Sequence, residues 1–224
     1  MSDVRVCAGT GPSIIRVMKA TSSSLWEDYR EGSRFFMKEG NVYETLRNLV
    51  ARLESEGLDY AVIGAMALVA HGYRRFTEDV DILLSPEALR HFRESVEGLG
   101  SIPTFKGAKK TFRDTRTRVK VEFMTSGEYP GDGKPKPVVF PDPVAAREKK
   151  EDLWVIELEK LIELKLASGL TAPHRLKDLA DVQELILHLN LPLDLAARLD
   201  DSVRAEYRRL WDAASAGRAI DEDR

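Results

Sequence analysis

Asp79-Val80-Asp81 is the stretch best suited to chemistry: two carboxylates separated by one apolar residue, running on into Ile82-Leu83-Leu84. A strand sends successive side chains to opposite faces, so both aspartates leave one face and Val80 the other. Carboxylates aimed at one spot repel unless a proton or a cation neutralises them, and hard oxygen donors suit Mg²⁺ or Mn²⁺. Upstream, Tyr60 to Ile63 reads as a short buried strand. Gly64-Ala65 is a small-residue turn, followed by one or two turns of helix and a polar loop holding Arg75 and Thr77. A glycine turn between strand and helix lets backbone come close to a ligand, and free N–H groups there favour an anionic phosphate.

Other residues are candidates by pattern. In Arg118-Val-Lys-Val-Glu-Phe-Met polar and apolar residues alternate, so Glu122 is expected to share a face with Lys120 and Arg118, opposite Val119, Val121 and Phe123. On a helical wheel Lys165 falls in the middle of a stripe made by Leu158, Leu161, Ile162 and Leu166, where a lysine either snorkels or meets an anion. Asp178 falls on the face of Val182 and Leu185 near a helix start, as a cap or as part of a site. Between Pro103 and Lys120 the chain is basic, with Asp114 as the acidic exception; this is either solvated charge or a guide for RNA. His71, His91, His174 and His188 show no metal-ligand spacing, and Trp26, Trp154 and Trp211 read as core or interface.

The elements that must position these residues follow from periodicity. Val42, Leu46, Leu49, Val50 and Leu53 recur at helical spacing and Gly57 stands where a cap would fall, which predicts an amphipathic helix from Asn41. Ser85-Pro86 opens another helix, running to about Glu97 and closed at Gly98 and Gly100. Ile102 to Phe105 reads as a short strand and Thr111 to Phe123 as a hairpin. The prolines and glycines of 127–143 exclude regular helix and central strand, and beyond them helices are expected over Ile156–Ser168, Lys177–Leu189 and within Asp200–Ala214. The division expected is a loosely held extension over 1–40, a core over 41–128, a linking arm over 129–149, a helical part over 150–216 and a frayed tail over 217–224.

Composition bounds the class. With 224 residues, 43% apolar and 32% charged, the chain suits a globular protein with a sizeable core. No apolar run approaches the roughly 20 residues of a membrane span. The N-terminal residues lack a secretory pattern, and the single Cys7 can form no internal disulfide, so a cytoplasmic setting is expected. A net charge of −3 gives no global case for nucleic-acid binding.

Gly64-Ala65 followed by Arg75-x-Thr77-x-Asp79-x-Asp81 resembles the signature of the nucleotidyltransferase superfamily. Leu161-Ile-Glu-Leu-Lys165-Leu-Ala-Ser-Gly and Arg175-Leu-Lys177-Asp178-Leu-Ala-Asp181-Val resemble its AbiEii-type branch, which includes toxins of type IV toxin–antitoxin systems. The resemblance implies an α/β, polymerase-β-like core with a small mixed sheet and a C-terminal helical subdomain. It implies an enzyme that moves a nucleoside monophosphate from an NTP to an acceptor hydroxyl. Asp79, Asp81 and Glu122 would hold Mg²⁺ or Mn²⁺, with Glu122 helping to deprotonate the acceptor. Gly64, Ala65, Arg75, Thr77, Lys165, Lys177 and Asp178 would contact the nucleotide. Implied partners are the NTP, a tRNA or other RNA acceptor and a cognate antitoxin, and no membrane. A small-molecule or protein acceptor, and a non-catalytic binding module on the same fold, remain open. Ala65 departs from the pattern, because Gly or Ser is usual there and a hydroxyl to phosphate is absent.

Overall fold

A computed structural model of the chain describes residues 30–32, 34–35, 38–96 and 100–222. Most of the expected extension, with Cys7 and Trp26, and the expected helix end at Glu97 and Gly98 lie outside the described residues. The element order is α1 (Asn41–Ser55), β1 (Tyr60–Ile63), α2 (Gly64–Ala70), β2 (Asp79–Leu84), α3 (Pro86–Val96), β3 (Ser101–Pro103), β4 (Thr111–Asp114), β5 (Lys120–Thr125), β6 (Arg147–Lys150), β7 (Leu153–Ile156), α4 (Leu158–Thr171), α5 (Leu176–Leu189) and α6 (Asp201–Glu222). The architecture is α/β, as expected, built on one mixed sheet of seven strands in the order β3-β4-β5-β2-β1-β7-β6.

Local chemistry accounts for the elements that carry the site. The apolar stripe of α1 is buried through Val42, Leu46, Leu49, Val50 and Leu53, and Gly57 takes the left-handed φ of 65° that ends the helix. Ser85 caps α3, its Oγ accepting from the Ala88 N–H at 3.0 Å. Strand β1 is buried at all four positions because it lies inside the sheet, antiparallel to β2 and parallel to β7. Strands β2 and β5 run parallel, which places Asp79 opposite Lys120 and Asp81 opposite Glu122. The other face of these strands is core: Val80, Val121, Ile82 and Phe123 are buried, and Phe92 of α3 meets Phe112 and Phe123 at ring-centre distances of 5.7 and 4.7 Å.

Helix α4 is buried from Leu161 to Gly169, so its amphipathic contrast is weak. Gly169 lets α5 cross closely, since a β-carbon there would stand 2.5 Å from Leu179 Cγ. Asp200 caps α6, its Oδ1 accepting from the Ser202 N–H at 2.9 Å, and Glu163 Oε1 ties that cap to α4 by accepting from the Asp200 N–H at 2.8 Å.

Several expectations are corrected. Strands β6 and β7 occupy residues expected to be arm and helix, and the following helix starts at Leu158, not at Ile156. The charged edge strand Arg147–Lys150 hides its period, but it pairs with Leu153–Ile156 and lays Arg147 and Lys149 over the Trp154 ring, at 4.5 and 4.8 Å from its centre. Strand β3 stops at Pro103, before the expected Phe105. Arg118 lies in the β4–β5 turn with φ 67°, not on the Glu122 face; Asp114 Oδ1 shapes that turn by accepting from the N–H groups of Arg116 and Thr117, each at 2.8 Å. The last helix continues to Glu222, through most of the expected tail. At the end of the expected loose extension, Phe35 is core: it is 2% exposed and meets Phe76 and Tyr43 at 5.2 and 5.3 Å between ring centres.

Candidate active site

One cleft collects residues from distant parts of the chain. Its sheet side is lined by Ile63, Gly64, Ala65, Thr77, Asp79 and Asp81, and its helix side by Leu161, Leu164, Lys165, Ser168, Arg175, Lys177 and Asp178. Arg75 and, from the Pro/Gly-rich arm, Pro130, Gly131 and Phe140 complete the walls. The arm is fixed there by Lys136, whose Nζ donates to Pro130 O at 2.6 Å, Asp132 Oδ1 at 2.5 Å and Thr171 Oγ1 at 2.9 Å. Gly131 packs on α4 so closely that a β-carbon would stand 2.8 Å from Ser168 O.

The carboxylate end is built by strand register. Thr77, 7% exposed, donates its hydroxyl to Asp79 Oδ1 at 2.5 Å and so orients that carboxylate. Asp81 lies under the Gly64 turn. Gly64 has φ 64°, and a β-carbon on it would stand 2.0 Å from Asp81 Oδ2, so both backbone conformation and space require glycine. Burial, reinforced by Asp79 and Glu122 and partly offset by Lys165 and Lys120, pushes the Asp81 carboxyl up to about 7. Glu122 lies one strand away in register with Asp81, but its Oε2 accepts from Lys120 Nζ at 2.6 Å. It lines an adjoining hollow shared with Gly131, Arg175, Lys177 and Asp178. Burial lowers the Lys120 ammonium, but its bond to Glu122 and the nearby aspartates prevail, leaving it above the ordinary lysine value.

The helix end is built from opposite charges. Lys165, 6% exposed, donates to Asp181 Oδ2 at 2.7 Å and to Asp178 Oδ1 at 3.0 Å. Asp178 Oδ2 also accepts from Ser168 Oγ at 2.7 Å. Arg75 Nη1 donates to Asp181 Oδ2 at 2.8 Å, joining the loop before β2 to this cluster. Lys165 therefore meets anions rather than snorkelling. Lys177 is exposed at the rim.

The donor set agrees in type with a divalent cation at Asp79 and Asp81: two carboxylates on one face, one held by Thr77, both lining the cleft. Among the described residues no group of three Asp, Glu, His or Cys side chains is drawn together tightly enough to hold an ion, consistent with Glu122 being turned to Lys120. Three of the four histidines have local partners: His71 Nε2 lies 2.8 Å from Ile156 O, His91 Nε2 lies 3.0 Å from Glu56, and His188 stacks on Tyr73, whereas His174 is exposed and lines the hollow beside Glu122.

Asp181 is the residue that reading by pattern passed over. Its signal was present in the i, i+3 spacing from Asp178 on a helix otherwise apolar on that face. No helix among the described residues is long and apolar enough to cross a membrane.

Neither a protein-family model nor a curated protein matches the chain. Solved structures similar to it include a protein from Thermotoga maritima assigned as a nucleotidyltransferase, at 18% identity and a TM-score of 0.46 over 61% of this chain and 89% of that one. JHP933 from Helicobacter pylori is similar at 17% identity and 0.44, over 82% and 94%. The antibiotic-resistance factor ANT(2'')-Ia is similar at 11% and 0.45, over 80% and 95%.

Proposed function

We propose that the protein is a metal-dependent nucleotidyltransferase that moves a nucleoside monophosphate from an NTP to an acceptor hydroxyl. The observation that carries this reading is the two-ended cleft, with Asp79 and Asp81 beneath Gly64 on one side and Lys165, Arg175 and Lys177 on the other. Asp79 and Asp81 would hold a divalent cation, Mg²⁺ or Mn²⁺, which when bound would supply charge neutralisation at the triphosphate. Thr77 keeps Asp79 oriented, and Gly64 leaves room for the Asp81 carboxylate. The cationic wall takes the phosphates, with the Gly64-Ala65 backbone beside them. Glu122, exchanging Lys120 for the acceptor, accepts the hydroxyl proton as the acceptor oxygen attacks the α-phosphate and pyrophosphate leaves. The helical part after β7 covers the nucleotide.

The finer reading is an AbiEii-type enzyme with a tRNA acceptor and a cognate antitoxin partner. Its support is that the two helical motifs behind that resemblance supply Lys165, Asp178 and Asp181, which meet in one cluster. The test is incubation of the purified protein with labelled NTPs and Mg²⁺ or Mn²⁺, with tRNA, small hydroxyl compounds or the protein itself as acceptor. Label is expected on one acceptor and absent with Asp79→Ala and Asp81→Ala. Transfer that survives in both variants overturns the mechanism, and failure to bind any NTP favours a non-catalytic module.

A further inference from the structure

We infer that Asp181 is a positioning residue that holds two cations of the cleft lining, Lys165 and Arg75, in one fixed arrangement; its role toward nucleotide rests on the nucleotidyl-transfer reading. One oxygen of Asp181 accepts from both, from Lys165 Nζ at 2.7 Å and from Arg75 Nη1 at 2.8 Å. The three residues come from three places: the loop before β2, α4 and α5. All three side chains are withdrawn from solvent, at 15% exposure for Arg75, 7% for Lys165 and 5% for Asp181. A buried carboxylate with two cations on one oxygen is strongly held, because low dielectric strengthens each attraction and penalises any partner left alone.

Asp181 is absent from the cleft lining, whereas Arg75, Lys165 and Asp178 belong to it. It stands behind the two cations, where it touches them without facing a ligand. Its partner Asp178 differs, since it lines the cleft and also holds Ser168. A lysine has a long flexible stem and an ammonium without directional preference, so its aim must come from neighbours. Asp181 supplies that aim, and it ties the sheet-side loop to the helical wall at the point where phosphates would bridge them.

The test uses the full chain and two readouts. Lys165 acylation by an amine-directed reagent, followed by mass spectrometry, needs no nucleotide. Asp181→Asn is expected to label at Lys165 about fivefold faster than wild type, because one charged partner is gone. Asp181→Glu is expected to remain within about twofold of wild type. Arg75→Gln is expected to slow labelling, since Asp181 Oδ2 is then left to Lys165 alone; this variant keeps the inference testable if Asp181→Asn does not fold.

In NTP turnover, Asp181→Asn is expected to lower kcat about tenfold while KM stays within about threefold, because misaimed cations lose orientation more than attraction. Asp181→Glu is expected to restore part of kcat. Labelling that is equal in wild type, Asp181→Asn and Arg75→Gln overturns the positioning role whatever the turnover. Wild-type protein that binds no NTP overturns the nucleotidyl-transfer reading instead, and the labelling ratios still decide whether Asp181 holds Lys165.

Discussion

The two ends of the cleft handle charge in opposite ways. On the strand side, Asp79 and Asp81 stand together and Glu122 follows one strand over; burial first, and these like charges after it, push the Asp81 carboxyl up to about 7. On the helix side, Lys165, Arg75, Asp178 and Asp181 neutralise one another through short bonds. Lys120 is bonded to Glu122 and not to the aspartates, so the Asp79–Asp81 pair lacks a bonded cation among the described residues, while the helix end holds its own cations. Strands and helices produce this difference naturally. Register on parallel strands sets side chains abreast whatever their charge, whereas crossing helices let long side chains find opposite partners.

Breaking the helix end is expected to have the largest effect on stability. Lys165→Met keeps most of the volume but removes the ammonium between two buried carboxylates, leaving Asp181 to Arg75 and Asp178 to Ser168, and is expected to cost about 3–5 kcal/mol in urea unfolding. A loss below about 1 kcal/mol would mean that water reaches the cluster and that the contrast between the ends is false. Next is Gly64→Ala, which adds a β-carbon against the Asp81 carboxylate at a left-handed backbone position. An expected cost of about 2–4 kcal/mol combines the conformational penalty with displacement of Asp81. Under the proposed function, NTP turnover should be lost in the same variant.

The strand end is expected to respond with the opposite sign. In metal-free protein, Asp81→Asn should raise stability by about 1–2 kcal/mol at pH 8. The folded state holds the Asp81 proton up to about pH 7, whereas the unfolded chain releases it near the ordinary value of 3.8. Wild type therefore loses stability as pH rises through that window, and the advantage of Asp81→Asn should vanish near pH 4. Equal stability of the two proteins at pH 8 would show that the carboxylates are not in conflict.

The smallest expected effect lies outside the cleft. Burial lowers His71, against the opposing influence of the Ile156 carbonyl and Glu148, so the folded protein favours the neutral ring. Its contribution is complete above about pH 6.5 and declines as pH falls through the depressed value. His71→Gln should flatten that part of the pH–stability curve, as measured by thermal melts across pH 5 to 7.5, and leave the response to Asp81→Asn unchanged.

The strand-borne chemistry was legible because its signals are local. Asp79 and Asp81 share a face by alternation alone, and Gly64 marked a turn where only glycine serves. The α1 stripe and the Ser85 cap were visible for the same reason. Lys165 betrayed itself by interrupting an apolar stripe. The β6–β7 hairpin was not legible, because Arg147–Lys150 is a charged edge strand and Val155-Ile156 runs without break into a helical pattern.

Sequence by itself determined which residue types can bind a cation or a phosphate and which backbone elements carry them, since these follow from periods of two and 3.6 residues and from glycine's freedom. Tertiary structure alone decided the partners. It put Glu122 in register with Asp81 yet tied it to Lys120, carried β7 into the sheet beside β1, and brought Arg75 to Asp181 across 106 positions of chain. The physical reason is that charge pairing inside a protein depends on distance and burial in space, and neither quantity is written in the local pattern.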